Sequence, residues 1–308
     1  MPLLEVKDLK VHFPVKGGIL GRTVGLVKAV DGVSFSIDPG QTLGLVGESG
    51  SGKTSIGKAI LGLTQLSGGS ILFDGEDILK YIGKNRSEYR KSVQMIFQDV
   101  YSSLNPRKRV LDIVAEPIRN FEKLTRAEER RRVDELMTIV GLSPESVLKY
   151  PHEFSGGQRQ RVGIARAIAL KPRLIVCDEP VSALDLSVQA QVLNYLKDIQ
   201  QELNLAYLFI SHDLGVVKHM CEKLAIMHNA RFVEFGSRQD IYNDAQHIYT
   251  RRLLAAIPDT DPDLRAENEL RRNKISAQFD AERSEYYDAG GHVYDLKHVG
   301  GTHFVATP

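Results

Sequence analysis

Apolar and polar positions alternate through LLEVKDLKVHF and again through AVDGVSFSI, the period-two pattern of strands with one buried face. TLGLVG follows, and the Gly-rich stretch KGGILGRTVG and the turn DPGQ separate the three segments. ILFDGEDI, at 71–78, reads as a further strand with a turn. Leu43 to Val46 form a short unbroken apolar run, as in a buried strand, and TSIGKAILGL from Thr54 has helical spacing. From about 95 to 160 the pattern becomes more helical and polar. RLIVCDEP and LAYLFISHD then supply two more short apolar runs that end in polar residues, with the helix-like SVQAQVLNYLKDIQQEL between them. Strand, helix and strand in that order predict an α/β fold with a parallel sheet whose strand ends carry the chemistry. After Pro258 the composition shifts to DTDPDLRAENELRRNK and then to a tail containing Tyr, His and Gly, which reads as an appended segment.

With 308 residues the chain can bury a full core, as one large domain or two smaller ones. A formal net charge of +1 gives no broad pull toward nucleic acid or an anionic membrane. RAEERRRVDELM looks basic, but Glu128 stands three and four positions before Arg131 and Arg132, as on a solvated, ion-paired helix face. Cys177 and Cys221 cannot form a disulfide framework or a complete zinc site, which points to a reducing, cytosolic setting. MPLLEVKDLKV alternates like a strand rather than a signal peptide, and no apolar run approaches the ~18 residues that span a bilayer. Any membrane role is therefore expected to come through another chain.

GESGSGKTS, residues 47–55, concentrates glycine and serine around Lys53, directly after the apolar run and before the helix. Backbone N–H groups can line a concavity only where side chains do not block them, and the helix that follows turns its free N–H groups and positive dipole end toward the loop. Gly47, Gly52, Lys53 and Thr54 occupy the fixed positions of GxxxxGK[ST], a phosphate-binding loop built from Gly47, Glu48, Ser49, Gly50, Ser51, Gly52, Lys53, Thr54 and Ser55. Lys53 would reach the β- and γ-phosphates of a nucleotide, and the Thr54 hydroxyl would ligate Mg²⁺. The chain shows one such loop and no tandem repeat of it.

Phosphoryl transfer to water also needs a carboxylate that organises the metal and a group that orients the water. Asp178 and Glu179 leave the apolar run Leu174 to Cys177 just before Pro180, so that Asp178 would hold Mg²⁺ through its hydration shell and Glu179 would act as general base. FSGGQRQRVGIARAIAL, from Phe154, offers a second glycine-bearing helix start, with Ser155 as a natural cap and Gly156 and Gly157 exposing backbone N–H groups.

Together GESGSGKT, Gln98 in IFQDVYSSLNPR, FSGGQRQR, LIVCDEP, SALD and ISHD resemble, in content and order, the motifs of ATP-binding-cassette (ABC) ATPase subunits, most of all those of dipeptide and oligopeptide importers. The resemblance covers about residues 3–258. It implies a RecA-like P-loop NTPase core with an N-terminal antiparallel β subdomain and an inserted α-helical subdomain at about 95–160. It also implies a C-terminal extension of the peptide-importer type at 259–308. In the family two cassettes pack head to tail, and each ATP lies between one chain's phosphate loop and the partner's signature loop, here Phe154, Ser155, Gly156, Gly157 and Gln158. The same resemblance makes Gln98 a contact to metal and attacking water, places Ser182, Ala183, Leu184 and Asp185 at the opposing subunit, and makes His212 the switch histidine at the γ-phosphate. YSSLNPRKR, from Tyr101 to Arg109, would open the surface that meets the permease.

Where the family places an adenine-stacking aromatic this chain has Val24, with Phe13 as the candidate substitute. HIYTRRLLAAIP resembles a HPYT-type stretch of the peptide-importer branch, with Ile248 in place of proline. Some relatives hold an iron–sulfur cluster through four cysteines in the C-terminal extension; no cysteine follows Cys221 here, so none is expected. The long insertion VHFPVKGGILGRTVGLVKAVDGVSF resembles the second cassette of such systems, which favours a heterodimer over a homodimer. The expected role is to power peptide import from the cytoplasmic face of the membrane, as a peripheral subunit on two permease subunits, with a solute-binding protein in the full system. Nickel, glutathione and oligosaccharide import fit the same motifs, and a soluble cassette ATPase in DNA repair or translation fits them less well.

Overall fold

The computed structural model describes residues 1–17, 22–99, 103–257 and 265–308. Part of KGGILGRTVG, Val100 to Ser102 of the Gln98 segment and of the expected docking surface, and the first residues of the tail from Pro258 to Leu264 lie outside the described residues. The chain divides into two compact units: Met1–Leu4, Ile37–Gln41 and Phe73–Leu208 form the first, and Glu5–Ser36, Thr42–Leu72 and Phe209–Pro308 form the second.

In the second unit the unbroken apolar run becomes β3 (Thr42–Val46), buried at all five positions. A strand covered on both faces has no polar face to alternate with, so its sequence reads as a continuous apolar run. It pairs in parallel with β9 (Lys223–His228), Leu43 opposite Lys223 and Val46 opposite Ile226. β10 (Arg231–Ser237) turns back antiparallel on β9. The C-terminal hairpin of β11 (Leu296–Gly300) and β12 (His303–Ala306) then adds to β10, giving the order β11-β12-β10-β9-β3. A separate sheet carries β1 (Leu4–Gly17) between β2 (Arg22–Ile37) and β4 (Gly68–Phe73). The helices of this unit are α1 (Lys53–Ile60), the single turn α7 (Leu214–Val217), α8 (Arg238–Asn243), α9 (Ile248–Ala255) and α10 (Arg265–Tyr286). α10 packs on α9, and Phe279, Tyr287 and Val293 of the tail are buried.

The first unit orders β8 (Ala206–Ser211, of which Ala206–Leu208 fall here), β7 (Leu174–Asp178) and β6 (Val93–Ile96). β6 and β7 are parallel, Val93 opposite Leu174 and Ile96 opposite Cys177. The short β5 (Glu76–Asp77) leads into α2 (Ile78–Ser92), which Asp77 caps. α3 (Val110–Phe121), α4 (Arg126–Ile139) and α5 (Gly156–Ile168) pack on one another, and Val114, Met137 and Ile164, one from each, are fully buried, at ~1.5–3 kcal/mol for each large apolar side chain removed from water. α6 (Leu186–Leu203) closes the unit and ends at Asn204 in the left-handed conformation.

The basic stretch is α4, and its pairing differs from the spacing-based expectation. Glu128 turns back to Thr125 in a capping box, its carboxylate accepting from the Thr125 N–H and hydroxyl at 2.8 and 2.7 Å. Close ion pairs among the described residues join Arg119 to Glu129 and Arg130 to Asp134, while Arg131 acts on Glu128 only as a nearby favourable charge. A first-turn carboxylate satisfies an orphan N–H at close range, which outweighs a solvated pair one turn on.

Candidate functional site

In the second unit, residues 47–52 connect β3 to α1. Lys53 is 4% exposed, and its ammonium donates to the carbonyls of Gly47 at 2.7 Å and Glu48 at 2.8 Å and to Ser51 Oγ at 3.3 Å. A buried cation is costly unless it is hydrogen-bonded, and here the loop backbone itself supplies the acceptors. Gly52 is the N-cap of α1, at φ 112°, and contributes no side-chain cap. Any Cβ there would lie 2.0 Å from the Ala29 carbonyl oxygen, so the position admits only glycine. The first turn of α1 thus begins without a capping side chain, beside a fixed ammonium, the arrangement suited to a phosphate chain. Ser49 and Gly50 are exposed at the loop, Ser51 is buried, and Thr54 and Ser55 on the first turn are half-buried.

Glu48 has two partners that the linear pattern did not indicate. Its N–H donates to Tyr249 Oη at 3.0 Å, and its carboxylate accepts from Arg252 at 2.9 Å. His212 is exposed just after β8, where Ser211 and Asp213 form a hydroxyl–backbone turn and Asp213 caps α7. Phe13 on β1 is 43% exposed and Val24 on β2 is 67% exposed.

The first unit gathers the other candidates. Asp178, the last residue of β7, is 6% exposed, and Glu179 follows it in the left-handed region at φ 48°. A non-glycine residue there costs ~1–3 kcal/mol, a cost met at sites where a side chain has to be aimed. Gln98 Nε2 donates to Glu179 Oε2 at 2.9 Å, across 81 residues of sequence. The turn beyond is tied back to the same residue, with the Ser182 N–H and hydroxyl donating to the Glu179 carbonyl at 3.3 and 3.2 Å. Asp185 is the N-cap of α6. Ser155 caps α5 in a capping box with Gln158, and Phe154 before it is buried. A Cβ on Gly157 would come within 2.3 Å of Val188 Cγ1, so glycine lets the start of α5 approach α6, while Gly156 stands beside Leu184. Gln98 and Glu179, and the 154–158 and 182–185 segments, are therefore brought together in pairs within this unit. Burial pushes the Cys177 thiol far up, and both cysteines are buried and outside any disulfide.

The ABC transporter family model matches residues 30–182, which include the loop at 47–55, Gln98, the 154–158 segment and Asp178-Glu179. The oligopeptide transport ATP-binding protein OppF of Lactococcus lactis is 55% identical over 306 residues, 99% of this chain and 96% of its own length. This chain belongs to the ABC transporter ATP-binding proteins. The glutathione import ATP-binding protein GsiA of Pectobacterium atrosepticum is 45% identical over 99% of this chain and 48% of GsiA. Among solved structures, CbiO1 of Clostridium perfringens, part of the ABC transporter complex CbiONQ, matches with a TM-score of 0.68 at 25% identity, over 91% of this chain and 99% of CbiO1.

As an ABC ATPase subunit, the chain binds and hydrolyses ATP on a RecA-like P-loop core with an N-terminal β subdomain and helical insertions. Among the described residues no helix is long and apolar enough to cross a membrane. The residues that the motif reading missed, Tyr249 and Arg252, belong to the HIYTRRLL stretch. That stretch was visible as a family feature, but nothing in its composition points to Glu48.

Proposed function

We propose that this chain is the ATPase subunit that drives uptake of oligopeptides and dipeptides. The observation that carries the reading is its likeness to OppF along 99% of the chain, tail included. Lys53 and the backbone of 47–52 hold the β- and γ-phosphates of ATP, a role that suits an ammonium already fixed in the loop. The Thr54 hydroxyl on the first turn of α1, the Gln98 side-chain carbonyl and the buried Asp178 carboxylate at the end of β7 are oxygen donors of the kind a magnesium ion accepts, and Thr54, Gln98 and Asp178 would hold it. Mg²⁺, when bound, offsets phosphate charge. Glu179 takes the proton of the water that attacks the γ-phosphorus, Gln98 keeps that carboxylate in place through its amide, and His212 steadies the γ-phosphate.

Residues 154–158 complete the site of a second cassette, and residues 182–185 touch it. That partner is a different chain rather than a copy. Residues 1–258 serve as the ATPase domain and 259–308 as an extension. The assembly sits peripherally on the cytoplasmic face of the membrane against two permease subunits, which the segment Tyr101 to Arg109 helps to meet, and a solute-binding protein delivers cargo. Phe13 is the candidate adenine contact. Neither nucleic acid nor an iron–sulfur cluster has a place in this reading. The test is reconstitution of the chain with its second cassette and permease in proteoliposomes, followed by ATP-dependent uptake of labelled tripeptide and labelled glutathione. Tripeptide uptake supports the reading. Uptake of glutathione alone, as the name of GsiA would suggest, overturns the cargo assignment.

A further inference from the structure

Glu48 is exposed on the phosphate loop, where a residue would ordinarily be free to rotate, yet each of its functional groups is engaged. Its carbonyl accepts from Lys53, its N–H donates to Tyr249 Oη, and its carboxylate meets Arg252. Two of these three anchors, Tyr249 and Arg252, come from α9, outside the nucleotide-site motifs and within the HIYTRRLL stretch.

Tyr249 is suited to hold a position rather than only to fill space. It is fully buried, its ring lies 4.2 Å from the His228 ring between centroids, and Phe279 of α10 stands at 6.3 Å. His228 is itself fixed by the Tyr287 hydroxyl at 2.9 Å. A hydroxyl on a ring packed in this way has little freedom, so the N–H that donates to it is aimed, and planarity of the peptide carries that orientation to the Gly47 carbonyl. Arg252 lies between the Glu48 carboxylate and the Phe279 ring, 4.7 Å from its centroid. The ion pair is 37% and 47% exposed on its two sides and so contributes little to global stability, which leaves its effect on loop geometry.

We propose that Tyr249 and Arg252 are positioning residues for the phosphate loop, holding Glu48 so that the loop backbone meets nucleotide in its binding geometry, and that α10 sets Arg252 through Phe279. The inference rests on the reading of 47–55 as the phosphate loop. It gives the segment after β10 a part in nucleotide binding that its distance from the motifs conceals.

The test titrates the full chain with a ribose-labelled fluorescent ATP in excess Mg²⁺ and measures KM and kcat of the assembled ATPase. Tyr249→Phe keeps the ring and removes the acceptor. Loss of one hydrogen bond of ordinary worth corresponds to about 3- to 10-fold weaker binding, with KM raised by a similar factor and kcat nearly unchanged. Arg252→Ala should weaken binding about 2- to 5-fold, Arg252→Lys should restore it to within about twofold, and Arg252→Ala should add nothing in a Glu48→Ala background. Parent-like affinity in both Tyr249→Phe and Arg252→Ala overturns the proposal, as does an equal effect of Arg252→Ala with and without Glu48. Lys53→Ala separates the possible failures. Parent-like binding by that variant sinks the phosphate-loop reading and this inference with it, whereas lost binding there beside parent-like Tyr249→Phe and Arg252→Ala sinks this inference alone.

Discussion

Acidification should loosen the segment that carries Tyr249, and His247 is the residue that makes the effect measurable. It is fully buried, and its Nδ1 accepts the Tyr249 N–H at 3.1 Å as the N-cap of α9. The ring is therefore neutral with its proton on Nε2, and protonation would have to occur at the atom that serves as the cap. Burial, with His228 and Arg251 nearby, holds its pKa down to about 3 against an ordinary 6.5. Above pH 7 both folded and unfolded chains carry the neutral ring. As pH falls through 6.5 the unfolded chain takes up a proton that the folded chain refuses until about pH 3, so stability is lost across that window. At pH 5 the loss is about 1.5 units, or ~2 kcal/mol.

His247→Asn keeps an oxygen acceptor at the cap and cannot titrate. His228, lowered to about 4, titrates in both proteins and largely cancels in the comparison. Thermal melts of the full chain at pH 7.5 and pH 5 should show the parent losing roughly 4–8 °C more than His247→Asn, at ~2–4 °C per kcal/mol for a large domain. Equal losses in the two proteins would refute the argument that His247 is neutral because it is buried and capping.

Lys53→Ala removes the buried ammonium from the loop and should abolish ATP binding, which a direct titration reads; unchanged affinity refutes its role. Gly52→Ala places a methyl 2.0 Å from the Ala29 carbonyl at a φ of 112°, and should cost at least about tenfold in nucleotide affinity; a parent-like titration would show that the loop can shift aside. Glu179→Gln keeps volume and removes the base, so turnover should fall ~10²–10⁴ while ATP still binds and ATP-dependent dimer accumulates by sizing chromatography. Hydrolysis at the parent rate would place the base elsewhere. Charge reversal at Arg107 and Arg109 should reduce co-purification with the permease subunits and leave nucleotide binding intact, and wild-type recovery would remove the docking assignment.

What the sequence determined by itself is what rests on short-range physics. Leu43 to Val46 and Leu174 to Cys177 are unbroken apolar runs because both faces of their strands are covered, and that is readable from composition alone. The phosphate loop is equally local, since its glycines, Lys53 and the helix start lie within nine residues. Ser155 reads as a cap because its acceptor is the N–H three residues on. Tertiary structure decided the rest. Nothing near Glu48 in sequence announces Tyr249 or Arg252, which are 201 and 204 residues away and reach it through the fold. Gln98 and Glu179, 81 residues apart, meet through the parallel pairing of β6 and β7, whose register the apolar runs do not specify. The tail, polar enough to read as appended, is held by residues that pair only across the fold: Phe279 and Tyr287 against α9 and His228, and His303 on the buried Glu234 at 2.8 Å. A local pattern reports how much of a segment is buried. Which partner buries it depends on contacts between residues distant in the chain, and those exist only once the chain has folded.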